Sequence, residues 1–174
     1  FLDWDCDRFV RNDRIIWASC MVSCGDADAM GTGNTRRYGA SLEKVKKVID
    51  PRPGEVMFGL NMIVNKGKTV FVGDTSVHEY PSSEQLAEIA ISSARVVRLF
   101  GFNPKIAFLS HSTFGQPLTS RTKHIKDAVE ILKKKNVDFK FDGDMQPDVA
   151  LSEEYIELYP FSEIVGKANV LIMP

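Results

Sequence analysis

The sequence predicts an α/β fold with a mixed sheet and helices on both of its faces. Three observations carry this. Ile106-Ala-Phe-Leu109 is an apolar run with no polar alternation, the pattern of a strand covered on both sides. Stretches of helical period alternate with such runs along the chain. Asn65-Lys-Gly-Lys68 separates two strand-like runs, 56–64 and 69–72, and has the composition of a hairpin turn, so the sheet cannot be all parallel.

The elements follow in order. Residues 12–24 carry Ile15, Ile16, Ala18, Cys20, Met21 and Cys24 mainly at helical spacing, behind an Asn12-Asp13 start and before Gly25 as a stop. Residues 34–49 predict a second helix, with Leu42, Val45, Val48 and Ile49 on one face. Asp50-Pro-Arg-Pro-Gly54 ends it and is the best hinge in the chain. After the hairpin, Ser82 precedes Gln85 by three positions, the capping-box spacing, so a helix starts there and runs to Gly101. The strand 106–109 comes next, then a helix over 119–135 whose Ile125, Ala128, Val129 and Leu132 form an apolar stripe. Lys133-Lys-Lys135 complements the dipole at its end and needs no nucleic acid to explain it. A strand over 137–141, a short helix over 152–158 capped by Ser152, and a strand over 169–173 complete the pattern.

Composition bounds the function. Of 174 residues, 44% are hydrophobic and 26% charged, ordinary for a globular chain, and a net charge of −1 argues against a broad grip on nucleic acid or an anionic membrane. No apolar run approaches a membrane span and no signal-peptide pattern opens the chain, which makes the cytoplasm the expected location. The three cysteines lack paired metal-ligand spacing, so core thiols in a reducing compartment are expected and no metal site. Phe1 without an initiator Met, and an end at Pro174 directly after a strand pattern, suggest a segment of something longer.

Four segments share small residues, hydroxyls and carboxylates: 25–33, 73–79, 110–115 and 142–148. Ligands of open α/β sheets collect beyond the carboxyl ends of strands, so Ser110, Ser112, Thr113 and Gly115 lie where a phosphate or carbonyl oxygen is held; the alternative, that they close a loop and cap the next helix, stands beside it. Neither a phosphate-loop nor a dinucleotide fingerprint is present, and Ser110-His111-Ser112 has the wrong spacing for a nucleophile elbow. His111 points away from its neighbouring serines and is a bystander. Asp142, Asp144, Asp148 and Glu153 mimic calcium-loop spacing, but Pro147 stands where that loop needs glycine and a strand precedes it.

Gly25-Asp-Ala-Asp-Ala-Met with Thr32-Gly33, Pro53-Gly54, Phe71-Val-Gly-Asp-Thr-Ser, Pro81-Ser-Ser-Glu-Gln-Leu-Ala-Glu-Ile-Ala90, Ser110-His-Ser-Thr-Phe-Gly115, Asp142-Gly-Asp-Met-Gln-Pro-Asp-Val-Ala150 and Gly166-Lys-Ala-Asn-Val-Leu-Ile-Met-Pro174 occur in the order found in phosphate acetyl/butyryltransferases. The chain resembles that family, in the version that forms the carboxy-terminal domain of bacterial NADP-dependent malic enzymes. The resemblance implies a two-lobed α/β/α fold of the isocitrate/isopropylmalate-dehydrogenase kind: residues 1–54 as part of the first lobe, and 55–174 as the second, which makes a homo-oligomer. It also implies a cleft between them for acetyl-CoA, CoA or acetyl phosphate. Thr32, Gly33, Arg36, Arg37, Ser110, Ser112, Thr113, Gly115, Asp144 and Asp148 are the ligand-binding candidates, the hydroxyls suiting the phosphate and Arg36 or Arg37 a CoA phosphate. The carboxylates Asp28, Asp144 and Asp148 suit a mechanistic role, with helix and loop capping the commoner one for such residues. The family's catalytic Ser-Arg and downstream Asp lie beyond Pro174, and Glu43 stands where active transferases carry an Arg. NADP and a divalent metal belong to the parent's malic-enzyme domain. Three readings result: a regulatory acetyl-CoA site, a working phosphate acetyltransferase, or a lobe that serves mainly as an oligomerisation platform.

Overall fold

The computed structural model describes residues 3–115 and 119–174, which form two compact units, Phe1–Pro53 and Gly54–Pro174. Phe1 and Leu2 of the opening, whose lack of Met was noted above, lie outside the described residues. The first unit is helical: α1 (Asp3–Asn12), α2 (Arg14–Cys24) and α3 (Tyr38–Val45). α1 was not among the expected elements. Asp13 separates it from α2, taking an extended conformation and accepting N–H bonds from Ile15 and Ile16 as an N-cap. Gly25 closes α2 in the left-handed region at φ 82°, the C-cap expected of it. α3 is shorter than the expected 34–49. Gly33 to Arg36 forms a turn closed by Arg36 N–H on the Gly33 carbonyl (2.8 Å), and Arg37 caps the helix without a side-chain bond.

The second unit contains the sheet: β1 (Leu60–Asn65), β2 (Lys68–Gly73), β3 (Lys105–Leu109), β4 (Lys140–Met145) and β5 (Val170–Ile172), in the order β1-β2-β5-β3-β4. β1 runs antiparallel to β2 and the other neighbours are parallel, so the sheet is mixed as expected. The hairpin turns on Lys66 and Gly67, both at positive φ (47° and 79°), the turn whose twist matches the strands it joins. β1 starts at Leu60 rather than 56: Val56 and Phe58 pack on the core without pairing in the sheet.

β3 is covered on both faces, as its unbroken apolar run required. Ile106 and Phe108 join Phe71, Val170 and Ile172 beneath α4 (Ser83–Leu99) and α5 (Ser120–Lys135), which supply Ile89, Val97, Ile125 and Leu132. Ala107 and Leu109 face the other way, with Leu171, Met145, Val149 and Ile164. Both helices begin on capping boxes, Ser82 with Gln85 and Thr119 with Thr122. Helix and turn cover the second face, where the expected helix over 152–158 gives way to α6 (Pro147–Leu151) followed by a 3-10 turn at Glu153–Tyr155. Proline at the first helical position favours the earlier start.

β4 departs most from expectation, running three residues later than the expected 137–141 start and taking Asp142, Gly143 and Asp144 out of the loop assigned to them. Its register with β3 shifts: Phe108 pairs with Gly143 but Leu109 with Met145. Asp144 is therefore the extra residue of a β-bulge. Only glycine suits position 143, where φ is 155° and a Cβ would lie 2.7 Å from Phe108 Cβ and 2.8 Å from the Phe108 carbonyl oxygen. Gly143→Ala should cost about 2–3 kcal/mol of folding stability, read as a lowered urea midpoint; an unchanged midpoint would show that the bulge tolerates a side chain.

Candidate functional site

Because β2, β5, β3 and β4 are parallel, their carboxyl ends lie along one edge of the sheet, and the segments after Gly73, Leu109 and Met145 leave the sheet there. At the tips of β3 and β4 lies a chain of three buried polar side chains. Asp144, with 0% of its surface exposed, accepts the Ser112 hydroxyl on Oδ2 in a short hydrogen bond. Ser112 Oγ lies 3.2 Å from Ser110 Oγ, which also accepts the Ser112 N–H at 3.3 Å. The backbone binds the same parts together: Ser110 N–H donates to the Met145 carbonyl (2.9 Å) and Phe114 N–H to the Asp144 carbonyl (2.7 Å). Asp144 Oδ1 is buried without a hydrogen-bond partner among the described residues.

The rest of the loop is held from both sides. Gln146 N–H donates to Thr113 Oγ1 at 3.3 Å and its side-chain amide to the His111 carbonyl at 2.8 Å, so His111 contributes backbone while its ring is exposed. Phe114 packs against Tyr159 and Phe161, with ring centroids 5.2 and 4.8 Å apart. Gly115, at φ 93°, leaves room for the ammonium of Lys126, which occupies the space a Cβ would take.

Asp74 organises the segment after β2. Its carboxylate accepts N–H bonds from Gly59 (2.8 Å), Ser76 (3.1 Å), Val77 (3.2 Å) and His78 (2.9 Å), and a contact from His78 Nδ1 at 2.7 Å. Burial pushes its pKa up, but the bonds from Ser76, Gly59, His78 and Val77 outweigh that and leave it below the ordinary carboxylate value. Neither Asp74, Gln146 nor Lys126 was singled out from sequence. The Gly73-Asp-Thr-Ser-Val-His78 spacing, with amides two to four residues after an Asp, was the available signal for the first.

Asp148 stands apart from the serine cluster in its contacts. It accepts from the Tyr155 hydroxyl at 3.2 Å and lines a groove of about 520 Å³ with Lys68, Leu151, Ser152 and Glu153. Thr32, Gly33, Arg36 and Arg37 belong to the other unit, on the exposed connection into α3, and Asp28 precedes them in the same connection. Arg36 is already engaged, 3.3 Å from Asp13, which also pairs with Lys44; the Lys44 bond chiefly, with the amides of Ile15 and Ile16, holds the Asp13 pKa down at about 2. Glu43 is exposed on α3, 3.8 Å from Lys46. Among the described residues no cluster of three His, Cys, Asp or Glu side chains could hold a metal ion, and no helix is long and apolar enough to cross a membrane.

Hydroxyls and buried carboxylates gather at the carboxyl ends of parallel strands, with the neighbouring backbone amides tying the loops down. The profile of the phosphate acetyl/butaryl transferase family matches residues 4–174. The chain belongs to that family. It is 45% identical over its whole length to an NADP-dependent malic enzyme of Rhizobium meliloti (strain 1021), of which it covers 23%. A phosphate acetyltransferase of Buchnera aphidicola subsp. Schizaphis graminum is 32% identical over 93% of the chain, which covers 23% of that protein. The chain thus spans about a quarter of the length of these relatives. A phosphotransacetylase from Streptococcus pyogenes superposes with a TM-score of 0.87 at 26% identity, over 99% of this chain and 58% of that one. Of the residues singled out from sequence, the fold brings Ser110, Ser112 and Asp144 into one hydrogen-bonded unit, with Thr113 and Gly115 on the same loop.

The linkage at Asp74 has a defined sign. A carboxylate whose folded pKa is depressed stabilises fully above its unfolded value, near ~3.9, and that contribution disappears as pH falls through the lower folded value. Asp74→Asn should therefore lose about 2–3 kcal/mol at neutral pH, with the deficit against the unsubstituted protein shrinking below about pH 4. Urea midpoints of both proteins across that range check this; a deficit that stays constant would contradict it.

Proposed function

We propose that this chain is the phosphotransacetylase-like segment of an NADP-dependent malic enzyme, and that it binds acetyl-CoA or an acyl phosphate as a regulatory ligand. The observation that carries the reading is its 45% identity, over every residue, to a protein named as such an enzyme, against 32% to a named phosphate acetyltransferase. Glu43, where the family resemblance leads one to expect an arginine in active transferases, supports the same side: a carboxylate there repels the phosphate that an arginine would hold. On this reading malate is oxidised and decarboxylated to pyruvate and CO2 elsewhere in the protein, where NADP and a divalent metal are bound. The segment reports the acyl-CoA level to that site.

Regulation of this kind requires the ligand to bind one arrangement of the protein more tightly than another, and the coupling is then reciprocal. The strand-tip surface supports such a role because its parts are shared between two strands: a ligand ordering residues 110–115 acts on β3 and β4 together through the Asp144 bonds. A homo-oligomer through the Gly54–Pro174 unit and a cytoplasmic location belong to the same reading.

The second reading, a working transferase passing the acetyl group between coenzyme A and phosphate, draws on the phosphotransacetylase superposition. Two assays on the full-length protein separate them. Acetyl-CoA should shift the malate concentration needed for half-maximal NADP reduction by about fivefold or more, the size of ordinary allosteric coupling. Incubation with acetyl phosphate and CoA should give acetyl-CoA no faster than the uncatalysed mixture. Rapid acetyl-CoA formation, with malate oxidation indifferent to the ligand, would replace the regulatory reading with the catalytic one.

A further inference from the structure

We infer that the Ser110–Ser112–Asp144 chain ends in a hydrogen-bond acceptor, and that the ligand group it takes is a neutral donor, S–H, N–H or O–H, rather than a phosphate oxygen. The direction of the hydrogen bonds follows from the inventory of protons. A carboxylate has none to give, so the short bond between Asp144 Oδ2 and Ser112 uses the single hydroxyl proton of Ser112. The 3.2 Å contact between the two serine oxygens must then be made by the proton of Ser110. Ser110 Oγ also accepts the Ser112 N–H. Both hydroxyl protons therefore point inward to Asp144, and Ser110 has only a lone pair left to offer.

Accessibility gives the chain its outer end. Ser110 keeps 7% of its surface open, Ser112 1% and Asp144 none, so a ligand meets Ser110 first. The charge behind it is not offset by a second bond: Asp144 Oδ1 has no partner among the described residues. A phosphate oxygen placed at Ser110 would meet a lone pair backed by a negative charge in a buried setting, where such repulsion is strong. A thiol, amide or hydroxyl would meet an acceptor strengthened by the same charge. The hydroxyls of Ser110 and Ser112 thus do not suit the phosphate end assigned to them from sequence. Thr113, which accepts from Gln146 N–H and has its own proton uncommitted among the described residues, is the better phosphate donor on this loop.

The choice of probe rests on the proposed function: coenzyme A carries all three kinds of neutral donor in its pantetheine arm. Calorimetric titration of the full-length protein and of Ser110→Ala with coenzyme A should show a five- to tenfold loss of affinity in the variant, with inorganic phosphate binding changed less than twofold. Desulfo-coenzyme A identifies the donor: equal affinity for both proteins assigns it to the thiol, and the same five- to tenfold loss assigns it to the amides or hydroxyls. Phosphate binding that weakens in Ser110→Ala while coenzyme A binding does not would overturn the inference. Coenzyme A that fails to bind the unsubstituted protein overturns the proposed function and the ligand with it, whereas binding that Ser110→Ala leaves unchanged overturns the inference alone. The proton direction is checked without any ligand by infrared difference spectroscopy of isotope-labelled aspartate, using Asp144→Asn as reference. Carboxylate bands at neutral pH are expected; a protonated-carboxyl band that disappears in Asp144→Asn would reverse the chain and refute the acceptor assignment.

Discussion

A carboxylate with no surface exposed sits on the extra residue of a β-bulge, and the strand-tip loops are arranged around it. Asp144 is forced out of the ladder because one step along β3 matches two along β4. Once there it needs a local partner, since a buried polar group left without a hydrogen bond is costly. Ser112 supplies that bond, and the neighbouring backbone of Phe114 and Ser110 ties the loop to the same stretch of β4. Gly143 permits the bulge by leaving Phe108 its space. Bulges commonly re-aim a side chain beside a functional site, and this one directs a carboxylate at a loop of hydroxyls. On the other side of the edge, Asp74 performs a comparable task with backbone amides, closing the segment after β2 onto Gly59.

These two aspartates differ in how completely they are satisfied. Asp74 is surrounded by donors and serves the fold, and the direction of its pKa shift expresses that. Asp144 receives one side-chain bond and leaves its second oxygen unmatched among the described residues. Natural structures hold few such groups, and an unmatched one is often where stability has been given up for function. On the proposed reading, the strand-tip surface orients an acyl-carrier ligand and passes its presence into β3 and β4.

Much of the fold was legible in the sequence where the signal is local. Ser82 with Gln85, Asp13, and Gly25 each act through bonds within a few residues, and each does in the structure what its spacing indicates. The buried run 106–109 was readable because a strand covered on both faces has no alternation to confuse. What failed was decided by tertiary pairing. The Asp142-Gly-Asp144 stretch has loop composition, yet β3 pulls it into the sheet, and glycine inside it was the only hint of a bulge. The early start of α6 was hidden in the same way, since Pro147 marks a loop as readily as a helix start. The candidate residues divided similarly. Ser110, Ser112 and Asp144 converge because strand order places β3 beside β4, which no local spacing reveals. Asp148, one turn further on, is turned toward Tyr155 instead.

The claim on which the account depends most is that a ligand of the acyl-CoA class seats on the strand-tip surface built around Asp144. Amide hydrogen exchange of the full-length protein, with and without saturating acetyl-CoA, tests it most directly, since the Ser112 and Phe114 amides report on the serine–aspartate chain. The account predicts added protection across residues 110–115 and at the Gln146 amide. Acetyl-CoA that binds and protects other segments while leaving these amides unchanged would contradict it.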